Sequence, residues 1–256
     1  MRLAASSTGS GSRLVLVHGF TQTGRSWRHI ANQLAHDHEV VCVDAPGHGD
    51  SAAIRADLPT GAEALVSTSG RGAYIGYSMG GRLALQAALS APAAVERLVL
   101  LGASPGIADP AERAARRASD ERLAGDLERD GLDPFLSRWL ANPMFARLPV
   151  DPDGLADRRR NTVEGLAASL RLAGTGSQAP LWDRLQELTM PILVLAGEHD
   201  HKFVEIGRQM AATIGPNATF HQIDGAGHAA HLEQPAAFLS LVEPFLDPGS
   251  GGRAMR

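Results

Sequence analysis

The chain has 256 residues, enough for one large domain or two small ones. With 44% hydrophobic and 20% charged residues it is composed as a folded globular protein, which excludes wholesale disorder, a collagen and a coiled coil. A net charge of −4 lacks the basic surplus of a nucleic-acid binder, so a small molecule and no nucleic acid is the expected partner.

From the amino terminus, Met1 to Ser12 passes through Ser6-Ser7-Thr8-Gly9-Ser10-Gly11 without the apolar stretch a secretory signal needs, and no run approaches membrane-spanning length. A cytoplasmic protein without membrane insertion is expected. Leu14-Val15-Leu16-Val17 is a continuous apolar run entering His18-Gly19, the pattern of a strand buried on both faces that ends at a turn. Trp27, Ile30, Ala31 and Leu34 follow at helical spacing. Val40-Val41-Cys42-Val43 is a second buried run, closed by Asp44 and the loop Ala45-Pro46-Gly47-His48-Gly49. Cys42, the only cysteine, is expected to be buried there, and a single cysteine permits neither an intrachain disulfide nor a cysteine metal cluster. Tyr74-Ile75-Gly76 leads into Leu83, Ala84, Ala87 and Ala88, again helical in spacing. Leu98 to Leu101, Ile192 to Ala196 and Ala218 to Ile223 complete a set of short apolar strands alternating with helical stretches. That alternation predicts an α/β fold, a mostly parallel sheet flanked by helices on both faces.

Between Ser104-Pro105-Gly106 and Pro180 the strand runs stop, and Arg113, Arg116, Arg117 and Asp120 are spaced along one long predicted helix. Eleven arginines there face twelve acidic residues, so the position of a charge matters more than the total. The expected division is a core of residues 1–105 and 181–246, a helical cap insertion of residues 106–180, and a flexible tail, 247–256. The tail opens Asp247-Pro248-Gly249-Ser250-Gly251-Gly252.

Gly76-Tyr77-Ser78-Met79-Gly80 lies between a predicted strand and a predicted helix, the setting in which G-x-S-x-G makes a tight turn that exposes the serine hydroxyl. Three fixed positions in five are weak evidence alone; the strand-turn-helix context carries the weight. A serine hydroxyl is inert at neutral pH unless a base takes its proton, and that base needs an orienting carboxylate. Asp200 closes Leu195-Ala196-Gly197-Glu198-His199-Asp200 after one strand, and His228 lies in Gly225-Ala226-Gly227-His228 after the last. Ser78, Asp200 and His228 are thus the candidate catalytic triad, each at the carboxyl end of a strand, where open α/β sheets place their sites. His231 is a nearby rival, but the Gly-His pairing favours His228. The Phe20 N–H, in His18-Gly19-Phe20, and the Met79 N–H, at a helix start, are the candidate oxyanion-hole donors. His18 and His48 read as loop-shaping residues, and His29, His36, His38 and His221 as surface or satisfied ones. No metal-ligand spacing such as H-E-x-x-H occurs, and neither a metal nor a cofactor is expected.

These residues together resemble the α/β-hydrolase fold family over nearly the whole chain, on His18-Gly19-Phe20, Pro46-Gly47-His48-Gly49-Asp50-Ser51, the serine turn, Asp200 and His228. More narrowly, the chain is similar to the 2-succinyl-6-hydroxy-2,4-cyclohexadiene-1-carboxylate synthases of menaquinone biosynthesis. That likeness rests on Gly80-Gly81-Arg82, Ser104-Pro105-Gly106 leading to Glu112-Arg113-Ala114-Ala115-Arg116-Arg117 and Asp120, and Phe135 to Trp139 before Pro143-Met144-Phe145. Gly165-Leu166-Ala167-Ala168-Ser169-Leu170, Gly174-Thr175-Gly176 and Asp200-His201-Lys202-Phe203 extend it. The resemblance implies a cofactor-free carbon–oxygen lyase whose serine acts as a base on a C–H bond. Pyruvate then leaves 2-succinyl-5-enolpyruvyl-6-hydroxy-3-cyclohexene-1-carboxylate by elimination, and no acyl-enzyme forms. It also implies a small polycarboxylate substrate held by Arg82, Arg116 and Arg158, with Trp139 packing beside it and Tyr77 in the same substrate-binding set. The planar fork of arginine suits bidentate carboxylate binding. Arg113 and Arg117 are expected on a solvated helix face, while Arg159 and Arg160 leave open which of three adjoining arginines faces the site.

Two stretches depart from the family pattern. Only Met1 to Arg13 are left for the antiparallel strands that usually open the fold, so truncated strands are expected. The brief segment from Ser51 to Gly72 is expected to hold only a small helix. Two rival readings use the same residues. One is a carboxylesterase or carbon–carbon bond hydrolase, since the fold hosts many chemistries. The other is a non-catalytic ligand-binding protein, against which the intact set of Ser78, Asp200 and His228 argues.

Overall fold

The computed structural model describes residues 1–247, so the part of the expected tail at 248–256 lies outside the described residues. The strands are β1 (Ala5–Thr8), β2 (Ser12–Val17), β3 (His38–Val43), β4 (Gly72–Tyr77), β5 (Val95–Leu101), β6 (Ile192–Gly197) and β7 (Ala218–Ile223). Helices α1 (Arg28–Leu34), α2 (Leu58–Ser69) and α3 (Met79–Ser90) lie between the early strands. Helices α4 (Pro110–Asp130), α5 (Leu132–Leu140), α6 (Pro152–Arg158) and α7 (Val163–Ala173) follow β5, and α8 (His201–Ile214), α9 (Ala230–Glu233) and α10 (Pro235–Leu246) follow β6 and β7. The strands form one sheet in the order β1-β3-β2-β4-β5-β6-β7, in which every pair is parallel except the antiparallel β1 and β3. This is the predicted α/β architecture. Among the described residues no helix is long and apolar enough to cross a membrane.

The continuous apolar runs arise because successive strand residues point to opposite faces and both faces are covered. Val15, Val17, Tyr74, Leu98 and Val194 face one core, closed by Leu65 of α2, Leu85 of α3 and Met210 of α8. Leu14, Leu16, Cys42, Ile75 and Leu195 face the other, closed by Ile30 of α1 and Phe238 and Val242 of α10. The amino-terminal antiparallel part is a single four-residue strand, whose Ala5 lies opposite Val43.

The expectation of a small helix before β4 needs correction. Helix α2 has 12 residues, as many as α3. Asp57 caps it by accepting the Thr60 N–H at 2.9 Å, a proline stands in its first turn, and Gly70 at φ 68° ends it directly before β4. Of the 20 residues between Ser51 and Gly72, 12 are helical.

Helix α4 has 21 residues, capped by Asp109 onto the Glu112 N–H at 2.8 Å. It buries only Asp120, Ala124 and Leu127, one stripe at helical spacing. Ala124 and Leu127 pack with Phe135 of α5 and with Leu166, Ala167 and Leu170 of α7 in a separate small core. Asn161, just before α7, ties this helical segment to the loops above the sheet. Its Oδ1 accepts the Gly49 N–H at 2.9 Å and its Nδ2 donates to the Thr21 carbonyl at 2.7 Å.

Candidate active site

Ser78 stands between β4 and α3 at φ 52°, ψ −112°, a conformation that L residues rarely adopt. The flanking glycines make that turn possible. A Cβ on Gly80 would lie 2.2 Å from the Val17 carbonyl oxygen, and one on Gly76 would lie 2.4 Å from that of Gly80. The start of α3 therefore packs directly onto β2 and β4, and the serine projects from the sheet's carboxyl edge.

His228 Nε2 accepts the Ser78 hydroxyl at 3.0 Å, and His228 Nδ1 lies 2.6 Å from Asp200 Oδ2. A carboxylate only accepts, so the proton sits on Nδ1 and leaves the Nε2 lone pair facing the serine. Asp200 follows β6 at the start of α8, and His228 follows β7. The two loops are stitched together, since the His199 N–H donates to the Ala226 carbonyl at 2.9 Å and the Gly225 N–H to Glu198 Oε2 at 2.8 Å. His231, the rival, lies elsewhere: its ring packs on Trp27 and Tyr77 at 4.3 and 4.5 Å, and burial lowers its pKa to about 3.

All ten residues singled out from the sequence, namely Ser78, Asp200 and His228 with Phe20, Met79, Tyr77, Arg82, Arg116, Trp139 and Arg158, line one cavity of about 540 Å³. Neither the Phe20 N–H nor the Met79 N–H meets a protein acceptor among the described residues. Thr21, next to Phe20, is with Ser78 one of two non-glycine residues at positive φ among the described residues, at 68°. Its strained turn is held from three sides, by Arg158 on its hydroxyl, by Asn161 on its carbonyl and by His48 Nε2 on its N–H at 3.4 Å. His48 and His18 shape these loops. Their Nδ1–H groups donate to the carbonyls of Pro46 at 3.0 Å and Gly19 at 2.8 Å. Burial lowers their pKa values to about 3 and about 4.

Arg82 and Arg158 are 8% and 5% exposed, and among the described residues neither pairs with a carboxylate. Arg82 donates to the Ala173 carbonyl at 2.8 Å and to Gln178 Oε1 at 3.1 Å. Burial, with Arg116 nearby, lowers its pKa to about 10, which leaves it charged at neutral pH. Burial likewise lowers that of Arg158. Arg116 is paired with the buried Asp120 at 2.7 Å, which also accepts the Gly176 N–H at 3.2 Å. Arg159 and Arg160 are engaged with Asp133 and Asp50, so Arg158 is the one of the three that lines the cavity. Arg113 and Arg117 do not line it. Trp139 lies in an aromatic group with Phe20, Phe135 and Phe145.

Several cavity residues were given no site role from the sequence. Phe203 and Phe145, which entered only as part of the family resemblance, approach the His228 ring at 4.8 and 6.1 Å. Gln22 accepts the Gly19 N–H at 3.0 Å and fixes the loop before Phe20. Lys202, the chain's only lysine, lies at the exposed edge of the cavity. Among the described residues no group of three or more histidine, cysteine or carboxylate side chains is arranged to hold a metal ion.

A serine hydroxyl bonded to an imidazole at a strained strand-to-helix turn, in a chain with four helices between β5 and β6, defines the class. The model of the alpha/beta hydrolase family matches residues 14–241, and the chain belongs to that family. Within it, the chain is similar to a putative 2-succinyl-6-hydroxy-2,4-cyclohexadiene-1-carboxylate synthase of Bacillus subtilis (strain 168), 35% identical over 91% of this chain and 89% of the relative. The synthase of that name from Serratia proteamaculans (strain 568) is 33% identical over 92% of this chain and 94% of its own. Among solved structures, MenH from S. aureus superposes with a TM-score of 0.88 at 30% identity, covering 97% of this chain and 99% of that one. A malate-bound thermophilic esterase from Thermogutta terrifontis gives 0.81 at 28% identity, covering 96% and 93%.

Proposed function

We propose that the chain is a carbon–oxygen lyase of menaquinone biosynthesis that eliminates pyruvate from 2-succinyl-5-enolpyruvyl-6-hydroxy-3-cyclohexene-1-carboxylate to give 2-succinyl-6-hydroxy-2,4-cyclohexadiene-1-carboxylate. The observation that carries this is the pair of buried guanidinium groups, Arg82 and Arg158, which share a cavity with Ser78 and have no carboxylate of their own. Carboxylates reach them only through space, Asp120 for Arg82 and Asp157 and Asp151 for Arg158, and a buried charge without an ion pair of its own costs several kcal/mol, so we assign a matching anion to the ligand. The names of the similar synthases supply the particular substrate.

In this reading Ser78 Oγ takes the ring proton at C2, next to the succinyl carbonyl, while its own proton passes to His228 Nε2 and Asp200 holds the imidazolium. The C2 electron pair becomes the C2–C3 double bond, the C3–C4 pair moves to C4–C5, and the C5–O bond breaks. The departing enolpyruvate takes up a proton at carbon and becomes pyruvate. The Phe20 and Met79 N–H groups hold the succinyl oxygen as it takes on enolate charge, each contributing roughly 3 kcal/mol. Residues 106–180 act as the cap that brings Arg116, Trp139 and Arg158 over the serine. The reading includes a cytoplasmic location and a small polycarboxylate as the site's only partner.

A carboxylesterase would use the same serine, histidine and N–H donors, and the similarity to the Thermogutta esterase favours it as second reading. The test is pyruvate release from the enolpyruvyl precursor. Wild type should release it at an enzymatic rate, and Ser78→Ala, correctly folded, should be slower by about 10³-fold or more. Equal rates in the two proteins would exclude the serine from the chemistry.

A further inference from the structure

We infer that Glu233 is a positioning residue for His228, its carboxylate bracing the backbone on both sides of the histidine. Oε2 accepts the Gly227 N–H at 2.5 Å and Oε1 accepts the Ala229 N–H at 2.9 Å. The residue between those two is His228. This rests on the role given to His228 above.

Both oxygens of Glu233 are committed to this task, and among the described residues it pairs with no lysine or arginine. A carboxylate bonded to two backbone N–H groups makes charge-assisted bonds, about twice as strong as neutral ones. Room has been left for it, since a Cβ on Gly227 would stand 3.0 Å from Oε2. The segment it holds, 224–229, lies between β7 and α9 and belongs to no strand ladder or helix. The stitches to the Asp200 loop reach only Gly225 and Ala226. From there to α9, the Glu233 carboxylate takes the Gly227 and Ala229 N–H groups, beside the Ala229 carbonyl that accepts the Leu232 N–H at 2.8 Å, and it reaches back over its own short helix much as a capping-box glutamate does. The imidazole must meet Asp200 at 2.6 Å and Ser78 at 3.0 Å at once, and any shift of its backbone moves both contacts.

The test is Glu233→Gln, which keeps size but turns one acceptor into an NH2 group facing a donor. Three readouts apply: kcat and KM for pyruvate release, the rate of Ser78 labelling by a fluorophosphonate, and the downfield proton resonance of His228 Nδ1–H. A misplacement on the ångström scale costs up to about 100-fold, so kcat should fall about 10- to 100-fold with KM within about twofold. Labelling should slow in parallel, and the resonance should shift or broaden. Wild-type kcat, labelling and resonance in a folded Glu233→Gln protein would overturn the proposal, even with a lowered melting temperature. Gly227→Ala crowds the same contact from the other side and serves where the glutamine variant does not fold: kcat should drop with KM unmoved, and wild-type turnover would overturn the proposal. Labelling and the resonance need no substrate, so they decide the brace even if wild type releases no pyruvate.

Discussion

Arg82 and Arg158 share a cavity and burial but differ in what else they hold. Arg82 donates to Ala173 and Gln178, neither of which bonds to Ser78 or His228, whereas Arg158 donates to the Thr21 hydroxyl beside Phe20. Losing one charge-assisted contact to a carboxylate costs roughly 1.5 to 3 kcal/mol, so Arg82→Ala should lower kcat/KM for the polycarboxylate by about 10- to 150-fold. A neutral nitrophenyl ester should scarcely notice that change. With Arg158→Ala both substrates should slow, because the strained Thr21 turn loses one of its holds. An equal loss on both substrates from Arg82→Ala would make that arginine structural. This difference was not legible in the sequence. Arg158 ends the seven-residue α6, with Arg159 and Arg160 in the turn beyond it, and a helix so short with one leucine gives no periodicity that sets which of the three faces inward. The positive φ of Thr21 was equally hidden, since it comes from contacts more than 100 residues away in sequence.

The serine turn is an element-level device, in which a strand and a helix meet with no room for a side chain at Gly76 or Gly80. Gly80→Ala puts a Cβ against the Val17 carbonyl oxygen, and overpacking of that kind costs about 1 to 3 kcal/mol or more. The melting temperature should fall by roughly 2 to 12 °C, read by thermal unfolding. An unchanged melting temperature would mean that α3 does not rest on β2 as described. This turn could be read from sequence because its glycines, its serine and the apolar run of β4 are all local. Strands β2 to β6 were legible for the same reason, each carrying a local apolar run buried on both faces, whereas β7 at the sheet edge leaves Thr219 and His221 exposed. Strand β1 is expected only through the family resemblance, as part of a truncated opening: Ala5-Ser6-Ser7-Thr8 is exposed throughout and has no apolar alternation, and pairing with β3 makes it a strand. Helix α2 was underestimated from the brevity of its segment, although its end signals are local: Asp57 accepts the Thr60 N–H, a proline stands in the first turn, and the Gly70 N–H donates to the Val66 carbonyl.

At the scale of the whole molecule, three buried histidines tie stability to pH. Burial lowers the pKa of His18 to about 4 and those of His48 and His231 to about 3, against an unfolded value near 6.5. Between those limits the unfolded chain binds more protons than the folded one, so stability is full above about pH 6.5 and is lost as pH falls toward 4. The loss should be on the order of 1 kcal/mol per pH unit per histidine, measured by urea unfolding at pH 7.5, 6 and 5. A flat profile would mean that these rings take up protons within the fold. Ser78, His228 and Asp200 line one cavity with Arg82 and Arg158, and the central claim is that Ser78 there acts as a base and forms no ester. A hydrolase adds water to an acyl-serine and leaves one solvent oxygen in its acid product, whereas an elimination adds none. The most direct test is turnover of the enolpyruvyl precursor in water enriched in ¹⁸O, with mass spectrometry of the ring product and correction for exchange at the pyruvate carbonyl. The account predicts pyruvate release with no solvent oxygen in the ring product. Stoichiometric solvent oxygen in a product carboxylate, together with a trapped acyl-Ser78, would contradict it.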